Sequence, residues 1–85
     1  MLINIKDHLI DKSQVIYISP VKTYRSFSFG LFEIGAYFVV TLNTGDKITI
    51  EEVEFPEDKE GFHQFLKKGL TGLYEDLRKE REKLL

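Results

Sequence analysis

The chain has 85 residues, no cysteine and a formal net charge of -2, with 42% hydrophobic, 13% aromatic and 31% charged residues. That balance is one of a single ordinary globular domain over residues 1–85, and it excludes a disordered chain, a disulfide-stapled miniprotein and a thiolate metal site. Residues 1–50 carry five Lys/Arg against four Asp/Glu, and residues 51–85 carry seven against ten, so neither half is basic enough for long-range attraction to nucleic acid or to an anionic membrane.

The first residues, Met1 to Asp7, lack a basic start followed by a long apolar run, and no stretch has the length of a transmembrane helix. With no cysteine to suggest an oxidising compartment, a cytoplasmic protein without a membrane span is expected.

Leu2 to Ile5 reads as a short strand with Ile3 and Ile5 on one face, followed by a polar turn at Lys6, Asp7 and His8 and a return to the core at Leu9 and Ile10. After a second polar interruption from Asp11 to Gln14, the β-branched and aromatic run Val15 to Ile18 favours a strand. Pro20 cannot donate to a ladder, so that strand bends there or lies at an edge. Alternation of Tyr24, Ser26 and Ser28 against Arg25, Phe27 and Phe29 predicts a strand continuing from Val21, with Gly30 to Gly35 turning the chain into the next hairpin.

The firmest pattern runs from Tyr37 to Ile50. Phe38, Val40 and Leu42 alternate with Tyr37, Val39 and Thr41, and Ile48 and Ile50 alternate with Lys47 and Thr49. A three-residue loop of Asn43, Thr44 and a left-handed Gly45 pairs Val40 with Ile48 and Phe38 with Ile50. A one-residue slip would mix apolar and polar residues on each face. Beyond Ile50 the apolar positions move to Val53 and Phe55, which predicts a bulge or a change of face near Glu51.

Asp58 suits a helix N-cap. Phe62, Phe65, Leu66, Leu70, Leu73, Leu77 and Leu84 recur at helical spacing after it, with opposite charges four apart at Glu75/Lys79 and Arg78/Glu82. Gly69 and Gly72 mark a kink or a close approach within it. The expected fold is therefore α+β: an antiparallel β-meander of about four strands packed on one long C-terminal α-helix, with Phe38, Val40, Leu42, Ile48 and Ile50 facing Phe62, Leu66, Leu70 and Leu73. Six-residue strands span about 20 Å and a helix from Asp58 to Leu85 about 40 Å, so the helix is expected to outrun its sheet and form a homodimer through Leu73, Leu77 and Leu84. The alternatives are a kink at Gly69 to Gly72 that folds the last segment back on the sheet, and a frayed, solvated tail stabilised by its charge pairs.

Chemistry is sparse. His8 and His63 stand in no metal-ligand spacing, the acidic run from Glu51 to Glu60 matches no cation-binding loop, and there is no nucleophile elbow or phosphate loop. No enzyme, metal or cofactor is expected. Tyr24, Arg25, Phe27, Phe29 and Phe32 form the candidate surface for an unidentified protein partner, which points to a non-enzymatic interaction module. Lys22 and Arg25 interleaved with Tyr24, Phe27 and Phe29 offer a single-stranded nucleic-acid platform as an alternative, although two charges make a thin one.

The order of elements, with Gln14 to Ser19 as a strand, Tyr37 to Ile50 as a hairpin around Asn43-Thr44-Gly45-Asp46 and a closing helix from Asp58, resembles the second half of bacterial pleckstrin-homology-like domains. The resemblance implies a curved antiparallel sheet capped by a C-terminal helix, and with it a further alternative, a binder of small ligands or lipid headgroups. The chain is too short for the seven strands of that family and has no basic loop at its start, so the family's headgroup site is not carried over.

Overall fold

A computed structural model describes the backbone of residues 1–85 and the side chains of all but residues 28 and 68–71. The fold is α+β, with two antiparallel sheets, a short 3-10 turn and an α-helix. Strands β1 (Leu2–Ile5) and β2 (His8–Asp11) form a two-stranded ribbon. Its turn is only Lys6 and Asp7, both at positive φ (44° and 68°), and His8 is already strand. Ile5 and Ile10 enter the core, whereas Leu9, expected there, is on the opposite face and exposed. Asp11 then caps the 3-10 turn Lys12–Gln14, accepting from the Ser13 backbone N–H (3.1 Å) and hydroxyl (2.7 Å).

The larger sheet is built on one long central strand. β5 (Leu31–Leu42) pairs on one side with β6 (Lys47–Glu54), and on the other with β3 (Val15–Ile18) and then β4 (Lys22–Ser28). Along the β5–β6 hairpin, Phe38 pairs with Ile50 and Val40 with Ile48, as the alternation predicts. Gly45 at φ 91° completes the loop by donating to the Leu42 carbonyl (2.9 Å). The two other expectations for these strands are corrected. Gly30 to Gly35 is not one turn, because only Phe29 and Gly30 turn the chain and β5 begins at Leu31. Nor is there a bulge near Glu51, since β6 stays in unbroken register from Lys47 to Glu54. The apolar pattern changes because Glu52 occupies the inward position after Ile48 and Ile50, where its carboxylate lies 3.6 Å from Lys6 of the ribbon.

The helix α1 (Lys59–Glu82) follows Asp58, whose carboxylate accepts from the Gly61 N–H (2.6 Å). Its neighbouring ion pairs form at three-residue spacing, Glu75 with Arg78 and Glu80 with Lys83, instead of the four-residue pairs expected. Phe62 meets Phe32 near the start of β5, and Arg81 reaches Ile18 and Ser19 beside the end of β5, so helix and strand run in the same direction. Ile34, Ala36, Phe38, Val40 and Ile50 from the sheet, Ile5 and Ile10 from the ribbon, and Leu73, Leu77 and Leu84 make one buried core.

That core overturns the expectation of a free leucine stripe. Leu73, Leu77 and Leu84 are 4%, 0% and 3% exposed within a single chain. The premise of a free stripe fails on strand length: β5 has 12 residues and spans about 40 Å, against about 36 Å for the 24 residues of α1. The helix does not outrun the sheet. Its packing is also shifted along the axis, with Phe62 on Phe32 instead of on the Phe38–Leu42 segment, while Leu70 lies outside the described side chains.

Candidate functional site

Strand register divides the candidate residues between two faces and a tip. Tyr24 pairs with Gly35 and Arg25 with the buried Ile34, so Arg25 is on the helix side of the sheet and Tyr24 on the open side. Phe27 pairs with Phe32, its ring stacked at 4.5 Å, and Phe32 in turn meets Phe62 at 4.8 Å. Phe29 belongs to neither face. It occupies the first central position of the two-residue β4–β5 turn, at φ 51°, with Gly30 following at φ 75°.

Two positive φ values in succession define the turn whose twist matches that of a hairpin, and Asn-Gly is its preferred sequence. A bulky residue at the first position is a genuine outlier that costs about 1–2 kcal/mol. Phe29 gains no contact in return, for its side chain is fully exposed at 101%. Phe27 and Leu31 beside it are each 62% exposed. The hairpin thus ends in an apolar cap anchored by the Phe27, Phe32 and Phe62 stack. Leu31 and Phe62 belong to this cap and were not foreseen. The glycine of the turn, Gly30, was the missing signal, since placing the turn there puts Phe29 at its tip and Leu31 beside it.

On the open face, Tyr24 lies flat across Gly35, so close that a Cβ there would fall 2.5 Å from its ring. Its hydroxyl donates to Glu33 (3.1 Å), and its ring is 6.1 Å from that of Tyr37. Burial, with the Glu33 acceptor and the charge of Glu51 adding to it, pushes the Tyr24 phenol up to about 12. Two carboxylates around the central tyrosine oppose a phosphate backbone on this face, and Arg25 and Phe27 point to the other one, so the register divides the nucleic-acid platform read from the sequence.

Among the described residues, no three of His, Asp and Glu are grouped to hold a metal ion, and no helix is long and apolar enough to cross a membrane. An open depression of about 460 Å³ runs along one side of α1 beside Lys59, Glu60, His63, Gln64 and Lys67. These side chains belong to a single helix and bring no facing set of groups to it. Compared with protein-family models, curated proteins and solved structures, the chain matches none.

Proposed function

We propose that the protein is a non-enzymatic interaction module that engages its partner through the cap of the β4–β5 hairpin, with Phe29 as the contact residue and Phe27 and Leu31 flanking it. One observation carries this reading: a fully exposed phenylalanine is held in a backbone conformation that phenylalanine disfavours. A residue that costs the folded chain free energy and packs against nothing is explained by something outside the chain. Self-association through Leu73, Leu77 and Leu84 is not part of the proposal, because those side chains are already used in the core.

The test is thermal stability. Phe29→Asn places at the turn a residue that tolerates positive φ, so about 1 kcal/mol of strain is relieved and the melting temperature rises by about 4–8 °C. A lower melting temperature would assign Phe29 to the fold and remove the reading.

A further inference from the structure

Resting on that reading, we infer that the partner of the hairpin cap is a lipid surface, into which Phe29, Leu31 and Phe27 insert at the level of the headgroup/acyl boundary. Three observations converge on it. First, the shape suits a fluid layer. The cap presents about 400 Å² of apolar surface on a projecting two-residue turn, so a protein would need a pocket to receive it, while a fluid lipid layer closes around any shape.

Second, the length fits. No charged residue occurs from Ser26 to Phe32, and Arg25 and Glu33 bracket this segment. The tip at Phe29 and Gly30 is three residues from the rung where Ser26 pairs with Glu33, or about 10 Å of strand. Side chains that bind in a membrane interface reach about 5–10 Å into it, so the first charges of the hairpin stop at the aqueous side. Third, the strain at Phe29 is concentrated at the most advanced point of the cap, where an apolar side chain reaches deepest.

The surroundings select the kind of lipid. The contact of Phe62 with Phe32 brings the start of α1 alongside the hairpin, and Glu57, Asp58 and Glu60 outnumber Lys59 there. An anionic surface is repelled by that charge, so the cap suits a zwitterionic one.

The chain has no tryptophan, so Phe29→Trp in the full chain is a single reporter at the tip. With phosphatidylcholine vesicles its emission should shift to the blue, lose access to acrylamide and be quenched by lipids brominated on the acyl chain. In co-flotation, Phe29→Asn should weaken partitioning by about 30-fold or more, and Leu31→Ser, which leaves the turn untouched, should weaken it by about tenfold. Adding phosphatidylserine should not strengthen binding.

Unchanged indole emission from the Phe29→Trp chain in vesicles would overturn the lipid assignment. So would binding that needs phosphatidylserine, disappears with salt and ignores Phe29→Asn. A blue shift that depends on protein concentration without lipid, matched by a dimer in sedimentation, would assign the cap to a second copy instead. The melting temperature of Phe29→Asn separates the two levels: a rise with no vesicle binding removes the lipid and leaves the interaction module, whereas a fall removes both.

Discussion

At the scale of single residues, Tyr24 and Gly35 behave as one unit on the open face of the sheet. A glycine in a central strand costs backbone entropy and offers nothing to pack, but here the tyrosine ring of the neighbouring strand fills its place. Gly35→Ala should therefore destabilise the chain by about 1–3 kcal/mol, because the new methyl group meets the ring, the chain's own cross-strand cover. In a Tyr24→Ser background the same change should be neutral or stabilising, and urea denaturation of the four chains measures the coupling. The Tyr24 hydroxyl supplies a second readout. The unfolded phenol ionises at its ordinary value of 10, whereas the folded one holds its proton up to about 12. The unfolded chain thus loses a proton first, so the contribution of Tyr24 is full below pH 10 and is lost as pH rises through 12. Stability measured from about pH 9.5 to about pH 12 should fall more steeply for the wild type than for Tyr24→Phe.

At the scale of elements, the informative place is the break between β3 and β4 at Pro20. The proline has no N–H to give, and the register with β5 slips by one residue across it. Ser19 repairs one side of the gap: its hydroxyl accepts from the Val39 N–H (2.8 Å) while its own N–H donates to the Val39 carbonyl (2.9 Å). Arg81 of the helix repairs the other, donating from Nε to the Ser19 carbonyl (2.8 Å) and from Nη2 to the Ile18 carbonyl (3.2 Å). Arg81→Met keeps the stem and removes the guanidinium, so it should cost about 1.5–3 kcal/mol in a urea titration, and Arg81→Lys should recover only part because it lacks the fork. Little of this was legible beforehand. Alternation and Gly45 were enough to place the β5–β6 hairpin in register, because its two faces differ in polarity and one turn residue requires positive φ. The β4–β5 turn was missed because Gly30 is preceded by a phenylalanine where asparagine is preferred and is followed by a second glycine at 35, and Glu52 disguised an unbroken strand because its partner, Lys6, is 46 positions away in sequence. The role of Arg81 was not legible, since nothing local ties it to residues 18 and 19. Local chemistry is visible in sequence; contacts between distant segments are what the candidate aromatic residues needed before they could be sorted into cap and open face.

At the scale of the whole molecule, the helix and the central strand are matched in length, and this decides what the C-terminal segment does. Leu77 and Leu84 are buried in the shared core, Arg81 closes the β3–β4 break, and the Leu85 backbone carbonyl accepts from Lys12 Nζ (2.8 Å) at the ribbon. The C-terminal segment therefore joins helix, sheet and ribbon within one chain. Leu77→Ala alone should cost about 2–5 kcal/mol, a large share of the roughly 5–15 kcal/mol that holds a small domain together. Truncation after Tyr74 removes Leu77, Arg81 and Leu84 at once, so it should abolish the cooperative thermal transition followed by circular dichroism. A tail that served only as a dimer contact would give the opposite result, a folded monomer with its transition intact. Melting of the full chain across a tenfold range of concentration gives the second check, because the stability of a dimer depends on concentration and that of a core within one chain does not.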